Sequence, residues 1–251
     1  MTLNRRDFLK LTAAGAASAL APNLATAAAS AKAIAFDGFT VFDPRNVFAK
    51  AEALVPGQGA EFLNLWRSRL FEYQWLRVVG GHYADFWQIG LDSLSFAANM
   101  LHLELQAEQR ESIMQEFMNM KAWPEALPVL TKLKSAGIRM AFLSNLTEAI
   151  LLSSTQAAGL DGLLETPQTT DRIKTYKPDP LAYQLGMVCF RLKRDEIVFA
   201  ASSGWDAAGA KWFGYKTVWV NRKNQLSEEL APAADLVTPD LNGLADFLSV
   251  G

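Results

Sequence analysis

Asp37 follows the short apolar run Ala33-Ile34-Ala35-Phe36 and precedes Gly38. A run of that kind reads as a buried strand broken by an acid and a glycine. A carboxylate just past a central strand stands where open parallel sheets bind their ligands. Asp37 therefore reads as a nucleophile, or as a residue that only caps or turns the chain. Further polar groups close other apolar runs: Ser144-Asn145, Lys177 in Lys174-Thr175-Tyr176-Lys177-Pro178-Asp179-Pro180, and Ser202-Ser203 with Asp206. Carboxyl ends of parallel strands share one edge, so these groups can converge in one crevice. Taken singly, Ser144-Asn145 and Ser202 suit helix N-caps, Asp206 a helix first turn and Lys177 the surface. Convergence of all of them is harder to assign to structure alone.

The elements that must position these residues are legible in outline. A first strand ends at Asp37, and Pro44 closes the loop after it. A largely helical stretch runs from Val47 to Ala122, with helices over Glu61–Arg77, Phe86–Leu103 and Ala107–Met120. It has little β-branched character and reads as a small bundle inserted after the first strand. Strand–helix alternation then resumes. Helices are expected over Pro124–Ala136, after Ser144-Asn145 as far as Gly159, and over Leu181–Leu192 and Asp206–Phe213. Strands are expected over Ile138–Leu143, Glu196–Ala201, Lys216–Val220 and Asp235–Val237, with a closing helix after them. The fold class is α/β, a Rossmann-like parallel-sheet core with an inserted helical cap subdomain. The core takes 30–46 and 123–251, and the cap takes 47–122.

Composition narrows the functions. The chain has 251 residues and a formal net charge of -2, which gives no electrostatic case for nucleic acid or an anionic membrane. The single cysteine, Cys189, excludes an internal disulfide and reads as a buried structural thiol. Two histidines, His82 and His102, are too few and too separated for a zinc motif. Most of the tryptophans are expected in the core or in a pocket wall.

The N-terminus carries Asn4-Arg5-Arg6-Asp7-Phe8-Leu9-Lys10, an Ala-rich apolar run from Leu11 to Ala21, and the small-x-small triplet Ala25-Thr26-Ala27. This resembles a twin-arginine secretion signal over 1–29. The apolar run is too short to span a bilayer comfortably, so no stable membrane anchor is expected. The resemblance implies recognition by the twin-arginine export machinery. It also implies export of an already folded protein to the periplasm.

From about Ala33 to Phe247 the chain resembles the haloacid dehalogenase superfamily, and within it the type II L-2-haloacid dehalogenases. The resemblance rests on Phe36-Asp37, Leu65-Trp66-Arg67, Glu72-Tyr73, Trp75-Leu76-Arg77, Leu143-Ser144-Asn145, Tyr176-Lys177-Pro178-Asp179, Tyr183 and Trp205-Asp206-Ala207-Ala208-Gly209-Ala210. It implies that Asp37 attacks the halogen-bearing carbon of a short L-2-haloacid and forms an ester. Arg67, with Asn145, would receive the halide, and Ser144 would bind the substrate carboxylate beside a helix N-terminus. Lys177 would hold and orient the carboxylate of Asp37, Tyr183 would support that network, and Asp206 would activate the hydrolytic water. Phe39, Phe71, Phe86 and Trp205 would line the apolar part of the pocket. A homodimer face or plain bundle core both fit Leu70–Leu76.

The residues themselves bear on metal dependence. A related phosphatase needs a second acid two residues after the nucleophile, and that position is Phe39. Magnesium prefers several oxygen ligands, whereas the distal site offers Asp206 with Ser202 beside it. The expected reaction is therefore metal-free, with no cofactor.

Three departures from the family pattern stand out. The Asp37–Asp43 loop is one residue short, so Thr40 or Val41 takes the place of a threonine. Ser203 stands where an asparagine is usual, and Ala201 where a serine is usual. One hydrogen-bonding group can be worth roughly 2.7–4 kcal/mol of transition-state stabilisation. Two other functions are thus weighed beside the dehalogenase: a phosphatase-like hydrolase of the superfamily, and a catalytically weakened protein that binds small carboxylates.

Overall fold

The computed structural model describes residues 31–249. The leader expected over 1–29 lies outside the described residues. Strand β1 (Ala33–Phe36) is buried along its whole length, as a central strand with neighbours on both edges must be. Asp37 then caps a single helical turn, Gly38–Val41, which leads into β2 (Phe42–Asp43).

Helices α1 (Arg45–Ala53), α2 (Gly59–Val79), α3 (Phe86–Met100) and α4 (Ala107–Gln115) follow, and a 3₁₀ turn, Glu116–Asn119, ends the group. Strand β3 (Lys121–Ala122) pairs antiparallel with β2, so the helical layer leaves and re-enters the core through a short two-stranded stem. Sequence reading missed this stem because two-residue strands carry no period. It also ran the last helix to Met120, where the backbone tightens to 3₁₀ after Gln115.

The remaining elements alternate. They are α5 (Ala126–Ser135), β4 (Arg139–Ser144), α6 (Glu148–Ala157), β5 (Gln168–Thr169), α7 (Pro180–Phe190), β6 (Ile197–Ala201), α8 (Gly204–Phe213), β7 (Lys216–Val220), β8 (Leu236–Thr238) and α9 (Asn242–Phe247). The expected strands lie within a residue or two of these bounds, and β5 was not anticipated. All six strands of the main sheet run parallel, in the order β5-β4-β1-β6-β7-β8. The chain steps from β1 outward through β4 to β5, then returns to β6 on the other edge. The carboxyl end of β1 is therefore a topological switch point, where such sheets open a crevice.

Alternation along β1 sorts its side chains between two cores. Ile34 and Phe36 join Leu130, Leu133, Ile150, Leu151 and Leu244, together with the helical layer. Ala33 and Ala35 join Tyr183, Phe190, Ala207, Ala210 and Tyr215 on the opposite face. Small alanines there let α7 and α8 pack close to the sheet. The expected buried thiol needs correction: Cys189 is only half-buried, because α7 turns its neighbour Phe190 inward and leaves Cys189 at the margin. Trp66 and Trp219 are core, whereas Trp212 is largely exposed.

Candidate active site

The switch point holds a bridged pair of carboxylates. The ammonium of Lys177 is 2.8 Å from Asp37 Oδ1 and 2.5 Å from Asp206 Oδ2, with its side chain 1% exposed. Burial is the largest influence on Lys177 and opposes its charge. Asp206 and then Asp37 outweigh it, and the lysine pKa ends above its ordinary value.

Asp37 has a second set of donors. Its Oδ2 accepts the Phe39 backbone N–H at 3.1 Å and the Ser202 hydroxyl at 2.6 Å. The capping and nucleophile readings of Asp37 are thus both compatible with the geometry. Gly38 eases the packing of this turn: a Cβ there would lie 2.8 Å from Leu146 Cδ1 and 3.1 Å from Ser144 Oγ, so any larger residue would require those side chains to shift.

Asp206 lies in the first turn of α8, where the helix dipole favours an acid. It accepts the Tyr183 hydroxyl at 2.7 Å through Oδ1. Burial pushes the Asp206 carboxyl up to about 6, against the pull of Lys177 and with the help of Asp37. Burial and then Asp206 raise the Tyr183 phenol well above its usual value, so it remains a donor. Gly209 lets Pro178 and Tyr183 approach α8 where a side chain would collide with both.

Ser144 and Asn145 are spared the capping role they could have taken, because Thr147 caps α6 by accepting the Ile150 N–H. Ser144 accepts the Leu146 N–H at 3.1 Å, which leaves its own hydroxyl proton to donate. Asn145 Oδ1 accepts the Lys177 backbone N–H at 2.9 Å. Its amide Nδ2 donates to Gln74 Oε1 at 2.9 Å. Gln74 belongs to α2, so this bond ties the helical layer to the sheet.

Above these groups lies a cavity of about 250 Å³. Its wall includes Asp37, Phe39, Arg67, Phe71, Phe86, Ser144, Asn145, Ser203, Trp205 and Asp206. The ring centroids of Phe71 and Trp205 are 4.9 Å apart, which joins an α2 side chain to the first turn of α8. Arg67 stands over the Phe48 ring, its guanidinium carbon 5.1 Å from the centroid. Leu70 also lines the cavity, while Leu76 is 63% exposed.

The structure gathers most of the expected residues around one cavity and places two groups differently. Thr40, not Val41, offers a hydroxyl in the shortened loop, but that hydroxyl bonds the backbone carbonyls of Asp37 and Ala200 rather than a carboxylate. Thr40 is buried behind the turn, outside the cavity wall, and Val41 is core. Tyr183 and Lys177 likewise lie beneath the wall, Tyr183 bonded to Asp206 and Lys177 to both aspartates. Ala201 is core, and the adjacent Ser202 bonds Asp37 directly.

Gln74, Trp123, Arg222 and Lys223 also line the cavity and were not anticipated. Trp123 donates its indole N–H to the Phe39 carbonyl at 3.1 Å, and Arg222 stacks on Trp123. The one available signal was position: Asn221-Arg222-Lys223 directly follows β7, at the same sheet edge as Asp37.

Comparisons with known proteins agree with this architecture. Residues 31–214 match the family model of haloacid dehalogenase-like hydrolases. Residues 2–22 match that of the twin-arginine translocation signal, so the protein is exported to the periplasm. No helix among the described residues is long and apolar enough to cross a membrane. The (S)-2-haloacid dehalogenase 4A of Burkholderia cepacia is 37% identical over 206 residues, covering 81% of this chain and 89% of that one. A solved L-2-haloacid dehalogenase superposes with a TM-score of 0.85 at 35% identity, covering 88% of this chain and 99% of its own. The L-2-haloacid dehalogenase of Xanthobacter autotrophicus with chloropropionic acid covalently bound gives a TM-score of 0.81 at 28% identity, covering 87% and 98%. With a matching family model over most of its length and these relatives, the chain belongs to the haloacid dehalogenase-like hydrolases.

Proposed function

We propose that this hydrolase of carbon–halide bonds converts short L-2-haloacids to 2-hydroxy acids through an ester on Asp37, without a metal. One observation carries the reading. The Asp37 carboxylate borders the cavity, with its two oxygens fixed by Lys177, Ser202 and the Phe39 N–H. A carboxylate so oriented is prepared for in-line attack on a carbon held above it. The covalent chloropropionate in the Xanthobacter autotrophicus enzyme supports the same chemistry.

In this reading Asp37 displaces halide from C2, and the C–O bond of the ester replaces the C–halogen bond. Arg67 and the amide of Asn145 receive the halide. Ser144 holds the substrate carboxylate with its free hydroxyl proton. Asp206 takes a proton from water, which attacks the ester carbonyl and restores Asp37 with release of the hydroxy acid. Phe39, Phe71, Phe86 and Trp205 enclose the alkyl chain, and Ser203 faces the water. The bridging ammonium of Lys177 supplies the positive charge between the two acids that a divalent ion supplies in phosphoryl transfer, and Phe39 replaces the acid such an ion would need. The catalytic core corresponds to 30–46 and 123–251, and the cap to 47–122.

The test is halide release from L-2-chloropropionate by the mature chain with chelator present, beside Asp37→Ala. Release that survives chelation and disappears in the variant is expected. Absence of release from the intact, folded chain would overturn the reading. Single-turnover reaction in ¹⁸O-water, followed by peptide mass analysis, should place the label in Asp37.

A further inference from the structure

The charges around the cavity do not balance for a simple monocarboxylate. Lys177 is committed to Asp37 and Asp206. Arg222 is committed to Glu125, 2.6 Å away, and to the Thr40 carbonyl. Arg67 and Lys223 also line the cavity, yet neither makes an ion pair or a protein hydrogen bond among the described residues. The two cations lie close enough for Arg67 to disfavour the charge on Lys223, whose pKa is lowered first by burial and then by Arg67.

Both side chains are exposed at the cavity, with no acid paired to either among the described residues, and an anionic ligand entering the cavity would find them free to pair. Arg67 is required for the departing halide in the reading above, and Ser144 takes the substrate carboxylate. Lys223 remains without a role in that scheme. It stands on the loop after β7 and lines the same cavity as the α2 residues Arg67 and Phe71.

We propose that Lys223 is a specificity-determining residue that receives a second carboxylate, so that the enzyme takes 2-halo-dicarboxylates, of which L-2-chlorosuccinate is the shortest suitable probe. The proposal rests on the dehalogenase reading and deepens it. The chemistry is unchanged: Asp37 displaces chloride from C2, water cleaves the ester, and the hydroxy-dicarboxylate leaves. Only the distal carboxylate, paired with the Lys223 ammonium, is added.

The experiment compares kcat/KM for L-2-chlorosuccinate and L-2-chloropropionate in the mature wild-type chain, Lys223→Gln and Lys223→Arg. The readout is the ratio of the two substrates. The ratio is expected to fall about threefold to fivefold in Lys223→Gln, the scale of a solvent-exposed ion pair, and to recover in Lys223→Arg. The fall should lie mainly in KM for chlorosuccinate. An unchanged ratio, including an equal loss on both substrates, would overturn the proposal. So would turnover of chloropropionate with none of chlorosuccinate, which leaves the dehalogenase reading intact. Turnover of neither by folded protein would sink both.

Discussion

The two halves of the cavity are built on opposite principles. On the sheet side every ionisable group is already satisfied: Asp37 by Lys177, Ser202 and a backbone N–H, and Asp206 by Lys177 and Tyr183. On the mouth side the aromatic pair Phe71 and Trp205 lines the cavity together with two cations that have no counter-ion among the described residues, Arg67 and Lys223. In the proposed mechanism the half that makes and breaks bonds is fixed before substrate arrives, so no reorganisation is needed at the moment of reaction. The half proposed to receive substrate is left incomplete, so that an anionic ligand would complete it. Order and affinity are thus assigned to different elements: strand ends for the first, α2 and the β7 loop for the second.

Removing the satisfied half should cost most. Lys177→Met leaves two buried carboxylates facing each other, and we expect about 3–5 kcal/mol of lost stability. Chemical denaturation measures it, and a loss under about 1 kcal/mol would show that the bridge matters less than its burial suggests. Halide release should fall below detection in the same variant.

Asp206→Asn should slow ester hydrolysis by roughly 10²–10⁴-fold, the range for a general base. Ester should accumulate, visible as added mass on the intact chain. The pH profile sharpens the same point. The Asp206 pKa is raised from 3.8 to about 6, mainly by burial. Activity needs the carboxylate, so it should fall as pH drops through about 6. Stability moves the other way. The folded state holds this proton more tightly than the unfolded chain, so its contribution is present below about pH 4 and is lost as pH rises through 6. A rate independent of pH between 5 and 8 would remove Asp206 as the base.

Ser202→Ala removes a charge-assisted hydrogen bond to Asp37, and a tenfold to hundredfold loss in kcat with little change in KM is expected. Gln74→Leu should have the smallest effect. It frees the Asn145 amide from the α2 side, and about a tenfold rise in KM is expected from a loosened cap. A larger effect in kcat than in KM would mean that Gln74 belongs with the fixed half.

Much of this organisation was legible in the sequence because strand ends carry their own punctuation. Asp37, Ser144-Asn145 and Ser202-Ser203-Asp206 each follow an apolar run, and parallel pairing brings such positions to one edge. What escaped depends on pairing that no single segment encodes. Ser202 reads as a cap until β6 is known to lie beside β1, where its hydroxyl reaches Asp37. Gln74 is one polar residue on a helix with apolar groups on more than one face, so its burial against Asn145 is decided by docking of α2 on the sheet. The shortened loop was ambiguous between Thr40 and Val41 because one missing residue shifts the turn's phase. The backbone resolves it by sending Thr40 towards the Asp37 and Ala200 carbonyls.

The partners of Asp37 also have a temporal consequence. Lys177 lies 140 residues along the chain from it and Ser202 lies 165. Contacts of such separation form late, after the closure entropy of long loops has been paid. A chain whose last strands have not yet docked can expose Asp37 but cannot hold it. Catalytic competence is therefore a readout of completed folding. For a polypeptide bearing a twin-arginine signal, folded before it crosses the membrane, the enzyme should reach the periplasm already assembled.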